Sequence, residues 1–190
     1  MTDATLDIRP LSPERLQDFL AYFDGPAFAD NPQWASCYCQ FMYVDHRTVR
    51  WDDRSGEQNR ASACERICAS RMNGLLAYRD NAVVGWCNAA PRALLDGFAG
   101  EPDTGAERLG QITCFVVARA HRRTGVARAL LDAACAQLKA QGMTIAEGAP
   151  RPEAATDAHQ YHGPLRLYEE AGFTHHRTDA DGTVWMRKRL

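Results

Sequence analysis

The segment ITCFVVARAHRRTGVARALLDAA (residues 112–134) runs from an apolar stretch through a basic turn into a helical pattern. Residues 111–118 predict a buried strand. Residues 125–140 predict a helix with Ala127, Leu131, Ala134 and Leu138 on one face, stopped at Gly142. A strand, a short turn and a helix start aim several unpaired backbone N–H groups at one place, and such a place binds anions. Gly125 permits close approach, while Arg122 and Arg123, with Arg119 and His121 nearby, add positive charge to the dipole of the helix start. A phosphate or diphosphate fits that arrangement.

The flanking sequence extends the pattern in both directions. TLDIRPL predicts a first strand, followed by Ser12 as N-cap, Pro13 at the first helical position, and Leu16, Phe19, Leu20 and Phe23 at helical spacing. A Gly/Pro turn region then leads into the aromatic-rich NPQWASCYCQFMYVDH, to which no regular structure is assigned. From Ser55 to Asn73 a second helix places Ala61, Cys64, Cys68 and Met72 on one face and ends at Asn73-Gly74. Two β-like runs, Leu75 to Tyr78 and Ala82 to Asn88, flank the turn Arg79-Asp80-Asn81, and Arg92 to Gly110 reads as loop. Beyond the central helix, Met143 to Glu147 predicts a strand. After a loop of about fifteen residues, GPLRLYEEAGF predicts a short helix ending at Gly172, and GFTHHRT and TVWMRKRL predict two closing strands joined by a DADG turn. The order β α α β β β α β α β β, with no repeat or linker, predicts one mixed α/β domain over residues 1–190.

Composition narrows the partners. The chain has 190 residues, 45% of them hydrophobic and 24% charged, which matches an ordinary globular domain. A formal charge of -2 gives no general attraction for nucleic acid or an anionic membrane. No apolar run approaches the roughly eighteen residues that span a bilayer. Seven cysteines, an odd number, and an N-terminus unlike a signal peptide predict reduced, buried thiols and a cytoplasmic protein. Any polyanionic partner is therefore expected to be small.

Neither GxxxxGK[ST] nor a GxGxxG following a strand is present. What stands at the turn is Arg122-Arg123-Thr124-Gly125-Val126-Ala127, which resembles the acetyl-CoA signature of the GNAT superfamily of N-acetyltransferases. That signature is Arg or Gln, two residues, Gly, one residue, then Gly or Ala. LYEEAGF at 167–173 is similar to the family's second signature, a helix with a Tyr before a Gly-Phe pair, and the element order agrees with the family over nearly the whole chain. GWCNAAPR, TCFVV and the Cys-Tyr-Cys stretch resemble a bacterial subgroup. The resemblance implies a central, largely antiparallel mixed sheet, split between its central strands and flanked by helices. It also implies acetyl-CoA as co-substrate, with the diphosphate on Arg122, Arg123, Thr124, Gly125, Val126 and Ala127, and the pantetheine arm paired with the 114–117 segment. By the same resemblance, backbone N–H groups around Phe115, Val116 and Val117 receive the oxyanion, and a free amine attacks the thioester directly.

That chemistry needs a base for the amine and an acid for the departing thiolate. Tyr168 stands at the family's general-acid position, the alternative being a Tyr packed at a helix end. The strand QITCFVV carries no carboxylate, so Glu147, at the end of the next strand, is the first candidate base, with His159 and His162 next; loss of the proton to ordered water is the alternative. Cys114, amid apolar neighbours, is expected to have a raised pKa and to pack rather than to carry an acetyl group. Cys37-x-Cys39 with Asp45-His46 matches no four-ligand spacing, so no metal is expected. Trp34, Trp51 and Trp86 suit either a pocket or the core, and Asp45, Asp52 and Asp53 either attract a cation or are solvated. The charges of MRKRL suit an edge strand. The acceptor is a small-molecule amine, amino-acid-like or antibiotic, with a protein amine third, and homodimerisation stays open. The competing reading is an inactive acyl-CoA-binding sensor or interaction module.

Overall fold

The computed structural model describes residues 5–101, 108–151 and 160–190. The described elements follow the order read from the sequence: β1 (Asp7–Pro10), α1 (Leu16–Phe23), α2 (Gly56–Cys68), β2 (Gly74–Arg79), β3 (Ala82–Pro91), β4 (Leu109–Val117), α3 (Val126–Ala140), β5 (Ile145–Gly148), α4 (Leu165–Glu170), β6 (Thr174–Thr178) and β7 (Val184–Arg189). The aromatic-rich stretch between α1 and α2 is a chain of short 3-10 turns, Pro32–Cys37, Phe41–Tyr43 and Trp51–Asp53. Their period matches neither helix nor strand, so no periodicity was there to read.

The seven strands form one sheet in the order β1-β2-β3-β4-β5-β7-β6. All pairs are antiparallel except β4 with β5, which run parallel over Leu109–Ile112 and Ile145–Gly148. β4 continues to Val117 after β5 has ended, and this opens the split between the two central strands. The β2–β3 hairpin turns on Asp80 and Asn81, both at positive φ (51° and 63°), as a two-residue turn demands.

A bulge interrupts the β3–β4 register between Asn88 and Ala89, where Asn88 faces Cys114 and Ala89 faces Ile112, leaving Thr113 as the extra residue. The insertion shifts the side-chain alternation by one. Ile112 and Phe115 both face the α3 and α4 side with Leu130, Leu131, Leu138 and Tyr168, whereas Cys114 and Val116 face the α1 and α2 side with Phe19, Tyr22, Phe23, Tyr43 and Trp86. Two apolar cores therefore sit on opposite faces of the sheet, and the bulge turns Cys114 toward the second.

Several local expectations are corrected. α2 stops at Cys68, not Asn73, and buries Asn59, Ala63 and Ile67, while Ala61 and Cys68 are exposed. Its start is fixed by a capping box, in which Ser55 Oγ accepts from Gln58 N and Gln58 Oε1 accepts from Ser55 N. Ser55→Ala is expected to lower stability by about 1 kcal/mol, read as the shift in a urea midpoint at constant slope. Ser12 caps no N–H, because a 3-10 turn, Pro13–Arg15, precedes α1 and its hydroxyl accepts from Arg15 Nη1. The basic closing strand is not an edge: β7 lies between β5 and β6, and its Arg187 faces Glu147 of β5. The thiols are free, but not uniformly buried, since Cys68 is exposed and Cys37, Cys64 and Cys114 are half-buried.

Candidate active site

Two cavities flank the free edge of β4. The first, of about 490 Å³, is bordered by the turn before α3. Phe115, Val116 and Val117 form its strand wall, and Arg122, Arg123, Gly125, Val126 and Ala127 its turn wall. Of the expected cofactor-binding residues only Thr124 is not on the wall. It ties the turn together instead, donating to His121 O and accepting from Arg79 Nη1.

Gly125 is the N-cap of α3 at φ 83°, left-handed backbone that a glycine adopts without strain. Among the described residues no carbonyl accepts the N–H groups of Thr124 through Arg128, so they stand ready for an anion. The two arginines differ. Arg122 is braced, with Nε on Val117 O at 3.0 Å and its two terminal nitrogens on Asp30 at 2.6 and 2.9 Å, so much of its charge is met within the protein. That guanidinium also holds the Asp30 carboxyl below its usual range. Arg123 sits at φ 61° in the turn itself. Asn31, 5% exposed, lines the same cavity with its Nδ2 buried and without a partner among the described residues. An unused buried donor is costly unless a ligand meets it. Together these groups fit the anionic and amide-bearing parts of a coenzyme A.

The 114–117 edge is partly occupied. Phe115 N donates to Tyr161 O, and Val117 O already takes Arg122 Nε. The 84–118 pairing turns the Val117 N–H to the same free side as that of Phe115. Val117 N–H therefore remains for a bound arm, while the donor expected at Phe115 is committed within the protein.

The second cavity, of about 330 Å³, shares Phe28, Trp34, Val116 and Tyr161 with the first. Thr113, Cys114, Cys37, Cys39 and His162 also line it, with Phe41 and Trp51. His162 Nδ1 lies 3.0 Å from Thr113 O. A carbonyl can only accept, so this nitrogen carries the proton and Nε2 keeps its lone pair. Burial, with the charge of Arg151, holds the imidazole down at about 4, so it is neutral above that pH. Cys39 Sγ accepts hydrogen bonds from the Cys114 thiol, from Trp86 Nε1 at 3.2 Å and from Asn88 Nδ2 at 3.5 Å. These donors hold the Cys39 thiol below its usual range, and the same contact with burial pushes Cys114 well up.

The two expected catalytic residues are on the wall of neither cavity. Glu147 is 0% exposed and lines neither cavity. Its carboxylate accepts Gln111 Nε2 at 2.6 Å and Arg187 Nε at 2.5 Å, with Arg177 and Arg92 at 3.5 and 3.9 Å. Tyr168 is also fully buried. Its hydroxyl donates to His162 O at 3.1 Å, its ring stands edge-on to Phe115, and burial raises its pKa well above the ordinary phenol value. It touches the first cavity through neighbours, since Gly163 beside its ring and Phe115 are both wall residues. His159 lies outside the described residues.

Trp34 and Trp51 are cavity residues, whereas Trp86 is core. Asp45 is held down to about 2 by hydrogen bonds from Arg47 and, like Asp52 and Asp53, is on neither wall. Among the described residues no three His, Cys, Asp or Glu side chains are grouped to hold a metal, and no helix is long and apolar enough to cross a membrane. The sequence carried no signal for Asp30, Asn31 or Tyr161, because each reaches the site only through folding.

The strand, turn and helix around these cavities recur in known structures. The GNAT domain of S. lividans PAT is 19% identical with a TM-score of 0.59, covering 96% of this chain and 89% of that one. yncA of Salmonella typhimurium, solved with its cofactor acetyl-CoA, is 14% identical with a TM-score of 0.58, covering 97% and 94%. The paia N-acetyltransferase of Thermoplasma acidophilum, in complex with coenzyme A, is 16% identical with a TM-score of 0.57, covering 98% and 99%. At these identities the likeness is one of fold. No curated protein matches the sequence. A sequence model described as the acetyltransferase (GNAT) family matches residues 33–173, spanning both cavities' strand, turn and last helix. With the split sheet and an anion-ready turn at its centre, the chain belongs to the acetyltransferase (GNAT) family.

Proposed function

We propose that the chain is an acetyl-CoA-dependent N-acetyltransferase in which a primary amine attacks the thioester directly. The observation that carries this reading is the pair of cavities sharing Phe28, Trp34, Val116 and Tyr161 over β4. One opens on the α3 start and suits the donor; the other suits the acceptor. The diphosphate rests on the N–H groups of Thr124 through Arg128, Asn31 Nδ2 meets an acceptor on the arm, and Val117 N–H polarises the thioester carbonyl. His162 Nε2 takes the proton released when the amine has attacked, a step for which even a weak base suffices because the N–H of that adduct is strongly acidic.

Tyr168 is the proposed acid. Its raised pKa keeps it protonated, so it holds the proton that the thiolate needs, and to reach the thiolate its hydroxyl exchanges the bond to His162 O. Tyr168→Phe is expected to lower kcat about tenfold or more with the KM for acetyl-CoA unchanged. Equal turnover by both proteins would reassign Tyr168 to packing.

The second reading, a sensor that binds acyl-CoA without turnover, draws support from Glu147 being pinned by arginines and from the Phe115 N–H being in use. Calorimetric titration with acetyl-CoA, followed by thiol release with a panel of amines, separates the two. Binding with release makes an enzyme; binding with none across the panel makes the sensor.

A further inference from the structure

The acceptor cavity has its own chemistry. At its mouth Phe41, 45% exposed, stands edge-on to Trp51 with centroids 5.1 Å apart. At its junction with the donor cavity Trp34 stands edge-on to Tyr161, also at 5.1 Å. Phe28 closes the shared wall. An exposed phenylalanine rim and ring-lined sides favour a flat ring entering between them, since aromatic pairs attract beyond the area they bury.

The polar groups are few. Thr113 is 8% exposed, and its Oγ1 has no hydrogen-bond partner among the described residues although the residue lines the cavity. An N–H donor on the ligand would relieve that oxygen. His162 offers a neutral ring nitrogen. Among the described residues the wall has no Asp, Glu, Lys or Arg side chain. An alkylammonium entering such a site sheds water and meets no counter-charge among the described wall residues.

Resting on the N-acetyltransferase reading above, we propose that this cavity takes a one- or two-ring arylamine as acetyl acceptor. The amine nitrogen, bonded directly to the ring and uncharged at neutral pH, donates to Thr113 Oγ1 while the ring lies among Trp34, Phe41 and Trp51. Such an amine arrives with its lone pair free, so its attack needs no carboxylate base to deprotonate an ammonium first. In the transfer the nitrogen forms the amide bond, the carbon–sulfur bond breaks, and the amine's proton leaves through His162 Nε2 as the thiolate is protonated.

The test starts with calorimetry of the folded chain and acetyl-CoA. Acetyl transfer is then compared for p-toluidine, for benzylamine, which has the same ring but an alkylammonium nitrogen, and for butylamine, which has no ring. The expected result is a kcat/KM for p-toluidine about tenfold or more above either alkylamine. Phe41→Leu, at an exposed site that keeps an apolar side chain but no ring, and Trp51→Ala should each raise its KM about tenfold, with acetyl-CoA affinity within about twofold of native. Thr113→Val, of the same shape without the hydroxyl, should raise that KM as well. If an alkylamine is the better substrate, or if p-toluidine is neither used nor bound although acetyl-CoA binds, the arylamine assignment is overturned. If the folded chain does not bind acetyl-CoA, the acetyltransferase reading itself fails.

Discussion

Gly125→Glu is expected to fold and to lose acetyl-CoA binding by about a hundredfold or more. The glycine holds φ at 83°, and a Cβ built there meets nothing within 4 Å, so the substitution displaces no neighbour. The left-handed backbone costs a residue with a side chain about 1–2 kcal/mol, a loss that a domain of ordinary stability survives. The effect on the ligand is larger. A carboxylate at the N-cap takes the N–H groups of the first turn for itself and repels the diphosphate. Gly125→Ala separates the two causes, because it carries the backbone strain without the charge and should keep most of the affinity. Calorimetry on both variants, with melting curves to verify folding, makes the comparison. Binding unchanged in Gly125→Glu would mean that the turn before α3 is not where the diphosphate rests.

Glu147→Gln carries the largest expected effect on stability. The carboxylate is fully buried and faces Arg187, Arg177 and Arg92, whose side chains are 16%, 28% and 11% exposed. Glu101 and Asp179 answer Arg92 and Arg177 at 2.6 and 2.9 Å, which gives Arg92 and Arg177 partial compensation at the surface. Removing the central charge leaves cations half-desolvated beside one another, and breaking such a buried pair costs about 3–5 kcal/mol. For a chain of this size the melting temperature should fall by about 10 °C. A double variant with Arg187→Gln should recover part of the loss, since the cation nearest Glu147 is then removed together with the carboxylate charge it faced. A fall of less than about 1 kcal/mol would mean that the arginines swing into water and that Glu147 is dispensable for the fold. Catalysis by the surviving folded fraction is expected to persist, in keeping with a carboxylate that lines neither cavity.

The contrast between these two residues shows where reading a sequence succeeds. Gly125 was legible because strand, turn and helix are local. An apolar run, two basic residues, a glycine and a 3.6-residue period fall within a single segment, and the backbone geometry follows from it. Tyr168 was legible in the same way, as part of a helix end before Gly172. Glu147 was placed by adjacency to the split, but its surroundings come from Arg92, Arg177 and Arg187, which lie on three other elements. Sheet order decides that placement: β7 inserts between β5 and β6, so the basic closing strand serves as the counter-charge of a buried acid, not as an edge guard.

The second cavity was the least legible part. Its aromatic rim comes from a chain of 3-10 turns that no periodicity marks, and its floor from Thr113 and Cys114, which a single-residue bulge re-aims. A bulge is a property of two strands in register, so neither strand alone announces it. The sequence by itself determined the succession of elements, the class of fold and the glycine turn before α3, because each rests on hydrogen bonds and periodicities confined to neighbouring residues. Only the tertiary structure decided which groups stand opposite one another across the split: Asp30 on Arg122, Tyr161 on Phe115, His162 on Thr113, and three arginines on Glu147. Those pairings depend on packing two cores on either side of one sheet. Contacts between residues far apart in the chain are set by the shape of the whole fold and not by any segment within it.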